Sequence, residues 1–217
     1  VALLKAGMEQ VDHWQVYLPV MLIAFVCMVP FIIVAEKRKK MKEVLMLAVA
    51  LLTLGTACMA LFLDSLQGLI AALWLFFLAF NILEASLPSL ISKFAPAGYK
   101  GSAMGLYSTS QFLGAFVGGV LGGYLSEYVS LAGVFWGLMP LLLVWFVLVA
   151  SMQRPKHLTS YMVNLHEQNL QTCTDLEDRL LALPGVDEVV IMLKEQAAYL
   201  KVDNKTFDPT KLKQLNI

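Results

Sequence analysis

Five stretches of apolar residues in this chain are each long enough to cross about 30 Å of hydrocarbon as a helix. They lie near Gln15–Ala35, Val44–Leu63, Leu66–Ser92, Gly101–Ser126 and Leu131–Met152. Four are free of Asp, Glu, Lys and Arg. The third holds Glu84, in "FNILEASLPS". At "MQRPKH" the pattern changes, and Pro155 ends the last long helix. After it, "SYMVNL" places Tyr161, Val163 and Leu165 on one side, as a half-buried strand does. "TDLEDRLLALPGV" predicts a helix capped by Thr174, with Glu177 as reciprocal partner of a capping box. Leu176, Leu180 and Leu183 face its core, and Pro184–Gly185 stops it. "EVVIML" and "AAYLKV" read as strands joined at "KEQ", and "DPTKLKQL" begins a second helix with Asp208 as cap and Pro209 at the first helical position. The expected fold is therefore an all-α polytopic membrane bundle of five spans, followed by a small α+β domain. That domain has the strand–helix–strand–strand–helix order of a ferredoxin-like βαββα unit without its last strand.

Composition agrees. Of 217 residues, 59% are hydrophobic and 15% charged, against about 25% charged in a soluble domain; mean hydropathy is +0.70. The formal net charge of zero says little, because the charges are segregated. "EKRKKMKE" holds Lys37, Arg38, Lys39, Lys40 and Lys42, "KFAPAGYK" holds Lys93 and Lys100, and the tail opens with Arg154 and Lys156. The alternate loops "DS" and "EYVS" hold no basic residue. The bias of Lys and Arg toward the cytoplasm puts the basic segments inside and the amino terminus outside. An outward terminus that opens at "VALLKAG", without a signal segment, leads to the expectation that further spans precede it. Residues 1–13 then form the end of such a span and an outer loop, 14–152 the helices, 153–160 a linker and 161–217 a cytosolic domain.

The spans differ in kind. The second and fifth carry almost nothing polar and read as peripheral. The first holds Pro19 and Pro30, tolerated in membrane helices. The fourth carries Gly101 and Gly105, Gly114 and Gly118, Gly118 and Gly122, and Gly119 and Gly123, each pair four apart. Such spacing lets helix backbones approach closely, so Gly105, Gly114, Gly118 and Gly122 are expected to pack a neighbouring helix. Tyr107 and Gln111 share a stripe of that span. Either they line a polar cavity or they bond a neighbouring helix.

Glu84 shares a stripe with Asn81, Pro88 and Ser92, and lies roughly 13 Å along the axis before Lys93. That places it inside the inner leaflet rather than at the centre, and burying a bare carboxylate in hydrocarbon is costly, by about 2.5 kcal/mol or more at mid-depth. It must be protonated, face water or meet a partner. A long basic side chain can reach inward from the first loop, so a charge cluster with Arg38 is the favoured answer. A proton-carrying role and a local hydrogen-bonded role are the alternatives.

Cys27, Cys58 and Cys173 have no disulfide or metal spacing. The "ALPGVDEVVIML…AYLKVD…FDPTKL" stretch resembles heavy-metal-associated domains, whose helix starts at a CxxC loop. Here Asn169 and Thr172 occupy the two positions, with Cys173 one place off. A soft metal needs two thiolates, and Cys173 beside His166 does not supply them. No metal and no cofactor are expected. The domain is expected to bind a partner, a copy of itself or a small ligand.

"AEKRKK" after one span, and a helix with "NILEASLPS" followed by "KGSAMGLYSTSQFLGAFVGGVLGG", resemble the carboxy-terminal half of a major facilitator superfamily transporter of the drug-proton antiporter type. The resemblance covers essentially the whole chain. It implies the second half of a twelve-helix protein working by alternating access around a midplane site, partnered by a missing amino-terminal half and by membrane lipid. Tyr17, Asn81, Tyr107 and Gln111 are the substrate-cavity candidates. "AEKRKK" lacks the Gly and Asp framework of the family's loop signature. The leading expectation is proton-linked export of small amphipathic molecules across a bacterial inner membrane, with the tail in the cytoplasm. The competing one is a membrane-tethered sensor whose soluble domain signals. No nucleophile–base pair or phosphate loop points to an enzyme, and the tail's scattered lysines do not form a nucleic-acid surface.

Overall fold

The computed structural model describes residues 2–96, 98–154, 158–165, 173–192, 196–203 and 206–208. Its elements are α1 (Ala2–Lys5), a 3-10 turn (Gln10–Asp12), α2 (His13–Lys37), α3 (Met41–Leu61), α4 (Leu66–Phe94), α5 (Lys100–Tyr128), α6 (Leu131–Ser151), β1 (Thr159–Asn164), α7 (Cys173–Leu181), β2 (Val186–Met192) and β3 (Ala197–Val202). The chain divides into two compact units, Val1–Leu90 with Thr109–Arg154, and Ile91–Ser108 with Pro155–Ile217.

The first unit is a bundle of long apolar helices. Length and composition mark α2 with its preceding turn, α3, α4 and α6 as able to cross a membrane. The stretch read as a fourth span forms α5, whose 29 residues equal α4 in length. Its glycines and the "STSQ" segment lower its hydropathy, so it is not among those four. At the centre stands α3, where Val44, Leu45, Ala48, Val49, Leu52, Thr56 and Met59 are buried at helical spacing. It packs most extensively along α6. Leu78, Ala79, Ile82 and Leu83 of α4 and Ala24 of α2 complete that core. The expectation that the second span is peripheral does not describe this bundle. A helix apolar all round suits a protein core as well as lipid, so polarity alone could not place it.

Gly55 fixes the approach of α3 to α4. A Cβ there would lie 3.0 Å from Phe76 N and 3.2 Å from its Cα. Small residues at such contacts let helices gain dispersion contact in lipid, where no hydrophobic force separates protein from solvent. The α5 glycines behave differently. A Cβ at Gly105, Gly114, Gly118 or Gly122 would meet nothing within 4 Å, and no residue of α5 is buried.

In the second unit β1, β3 and β2 form an antiparallel sheet in that order. Tyr161 and Val189 both stand opposite Leu200, with an irregularity between Val186 and Glu188. Central β3 alternates: Ala198, Leu200 and Val202 are fully buried and join Leu176, Leu180 and Val189 in one core. Gly185, at φ +87°, follows α7 as the Pro–Gly stop requires. The expected capping side chain of Thr174, the His166–Cys173 pair, the "KEQ" connection before Gln196, and the helix from Pro209 lie outside the described residues or side chains. The opposite face of β3 is also buried. Lys201 on it is 6% exposed and donates to Lys93 O in the last turn of α4.

Candidate functional site

Glu84 lies ten residues before the end of α4 and Gln111 eleven after the start of α5. Helices that run back along one another from a short connection bring two such positions to one depth. There Gln111 Nε2 donates to Glu84 Oε1 at 2.6 Å. Glu84 is half-buried and Gln111 exposed. A carboxylate that is isolated in the sequence thus has an amide partner on the neighbouring helix.

The favoured pairing of Glu84 with Arg38 is not formed. Arg38 follows the last residue of α2, is exposed, and makes no ion pair among the described residues. Its backbone turns back onto α2, with its N–H donating to Val34 O, while Lys39 takes φ +56°. The acid of that loop does reach α4: Ser89 Oγ donates to Glu36 Oε1 at 2.8 Å. The polar side of α4 therefore holds α5 through Glu84 and α2 through Ser89. Ser86, between them, is buried with no partner for its hydroxyl. Asn81, one turn before Glu84, is half-buried.

Of the other cavity candidates, Tyr17 is 39% exposed and joins an aromatic chain from α2 to α4. Its ring meets His13 at 6.5 Å and Phe77 at 6.3 Å, both edge-on. Tyr107 is half-buried on the Gln111 stripe of α5. The structure also holds a groove of about 540 Å³ that none of these four lines. Gln15, Val16, Pro19, Val20 and Ile23 of α2 face Gln67, Ile70, Ala71 and Trp74 of α4 across it. Its walls are apolar, with an amide near the start of each helix. Trp74 Nε1 is buried without a hydrogen-bond partner. Single apolar residues at these positions carry no signal in sequence. Only Gln15 and Gln67, at the same outer end of adjacent apolar runs, could have pointed to it. Such a groove can take the apolar body of an amphipathic molecule.

No group of His, Cys, Asp and Glu that could hold a metal occurs among the described residues.

Residues 9–174 match the family model of the Major Facilitator Superfamily, and residues 167–215 match that of the YajR YAM domain. The chain is 42% identical over 212 residues to the inner membrane transport protein YajR of Escherichia coli strain K12, covering 98% of this chain and 46% of that protein. It is 33% identical over 111 residues, 51% of its length, to an uncharacterized transporter of Buchnera aphidicola subsp. Acyrthosiphon pisum, covering 28% of that protein. The chain spans about half the length, or less, of these curated relatives.

Proposed function

The chain belongs to the Major Facilitator Superfamily, and from that premise we propose that it forms the carboxy-terminal half of a secondary transporter of an inner membrane. That transporter exports small amphipathic molecules in exchange for protons by alternating access. The reading rests on the Glu84–Gln111 bond. A titratable group inside a span is a functional site by default, and this one links two helices of the bundle. When Glu84 is ionised it accepts from Gln111. When it carries a proton it needs no such donor, and α4 and α5 are freer to shift. Proton loading is thereby tied to helix position. The groove between α2 and α4 supports an amphipathic cargo, because its apolar walls end at Gln15 and Gln67.

On this reading α5 is a fifth span, despite its lower hydropathy. With α4 ending on the basic inner side, α5 must cross so that α6 returns Arg154 and the tail to the cytoplasm. The sheet order β1-β3-β2 with α7 between β1 and β2 suits a ferredoxin-like unit in a regulatory or interaction role. One contact favours the sensor as a second reading: Lys201 Nζ donates to Lys93 O in the last turn of α4, so a ligand of the sheet would act directly on a span.

Reconstituting the complete protein in vesicles, imposing a pH gradient and following flux over a broad substrate panel decides between them. Flux that collapses with the gradient supports exchange. Its absence across the panel, with ligand binding retained by the tail, would leave the sensor.

A further inference from the structure

We propose that the turn between α2 and α3 binds the headgroups of anionic phospholipids in the leaflet where it lies. Lys37, Arg38, Lys39 and Lys40 are all exposed. Among the described residues none of their side chains makes an ion pair or a hydrogen bond. The acids that flank the run are committed elsewhere. Glu36 accepts from Ser89 on α4, and Glu43 pairs with Arg154 at 2.7 Å. Lys42 points away and donates to Ala150 O at the end of α6. Four consecutive cations are thus left without an ion-pair partner among the described residues.

Their position follows from covalent geometry. The turn joins two helices that are both long and apolar enough to cross a membrane, so it cannot leave the bilayer surface. Lys39 holds its left-handed backbone at φ +56°, a conformation a glycine would take without strain, and a lysine stands there instead. Phosphodiester headgroups are the anions present at high density at that surface. Each cation brought near them strengthens association by roughly fivefold.

Basic loops also fix orientation during insertion, and the test separates that role from lipid binding by using protein already extracted. The protein in neutral detergent is titrated with phosphatidylglycerol or phosphatidylcholine, and the first lipid bound is read by native mass spectrometry. Phosphatidylglycerol should bind at least tenfold tighter, with the preference shrinking as salt rises. Replacing all four residues by Gln should abolish the preference, and Lys39→Gly, which eases the backbone, should weaken it about fivefold. Exchanging the three lysines for Arg should retain it. Equal binding of the two lipids, or an unchanged preference in the folded Lys39→Gly and four-Gln variants, would overturn the proposal. So would displacement of phosphatidylglycerol by soluble glycerol phosphate or an acidic peptide at matched concentration, since the turn would then recognise a soluble anion.

Discussion

Lys201 Nζ sits 3.3 Å from Glu188 Oε2 and 3.2 Å from the backbone oxygen of Lys93. One ammonium therefore joins β3 to its neighbour β2 and to the last turn of α4. Carbonyls at a helix end lack partners within the helix, and a cation there also meets the negative end of the helix dipole.

The two partners of this ion pair are buried unequally: the Lys201 side chain is 7% exposed and that of Glu188 33%. Removing the acid strands a buried cation, whereas removing the cation leaves an acid that water can reach. Glu188→Leu should therefore destabilise the small domain by about 2–3 kcal/mol, and Lys201→Met by about 1 kcal/mol or less. Thermal unfolding followed by hydrogen exchange at the β3 amides would read the difference. The double variant should be more stable than Glu188→Leu alone; if it is less stable, the pair is not the source of the cost.

Gly98 lies in the connection between α4 and α5 at φ +82°, and a Cβ there would stand 2.7 Å from Met192 Cε. A methionine end can move aside, so the backbone conformation sets most of the cost. Gly98→Ala should lose about 1–2 kcal/mol, and Gly98→Val more. Equal melting temperatures for wild type and Gly98→Val would show that the connection can adopt another turn.

Much of this arrangement is legible in the sequence, and the illegible parts share a cause. Charged breaks at Glu36–Lys42, Asp64 and Lys93–Lys100 mark helix ends, so α2 to α6 appear close to where the apolar runs place them. Alternation places β1 to β3 as well, most clearly in β3, where Ala198, Leu200 and Val202 enter one core, while in β1 Val163 alone is half-buried and the other residues are exposed. Neighbours are harder to read than elements. The stripe on α5 shows that it could pack closely, while among the described glycines of the long helices the close approach to another helix's backbone is at Gly55, alone among the apolar residues of α3. Glu84 shows that it needs a partner, and proximity in the loops suggested Arg38. Equal distance from the α4–α5 connection was the signal for Gln111.

The two kinds of glycine can be told apart by substitution. Gly55→Val must push α3 away from Phe76 and should cost about 1–3 kcal/mol, read as a lower melting temperature in detergent. Gly118→Ala meets nothing within 4 Å among the described residues and gains helix propensity worth up to about 1 kcal/mol. It should leave the chain's melting temperature unchanged or slightly raised. If Gly118→Ala melts as low as Gly55→Val, α5 already packs tightly within this chain.

The Glu84–Gln111 bond yields the sharpest functional expectation. Glu84→Gln keeps an amide that can still bond Gln111, so folding and substrate binding should survive with a stability change within about 1 kcal/mol. It cannot carry a proton, so flux driven by a pH gradient in the complete protein should fall by two orders of magnitude or more. Downhill exchange of substrate without the gradient should persist. Gln111→Leu leaves the carboxylate in place without its donor. It should cost about 1–3 kcal/mol as a lost bond to a charged group and shift the pH dependence of transport while leaving coupling in force. Measuring gradient-driven and downhill flux for both variants separates coupling from packing. Should Glu84→Gln keep full gradient-driven flux, Glu84 only ties α4 to α5, and the coupling proton travels through another residue.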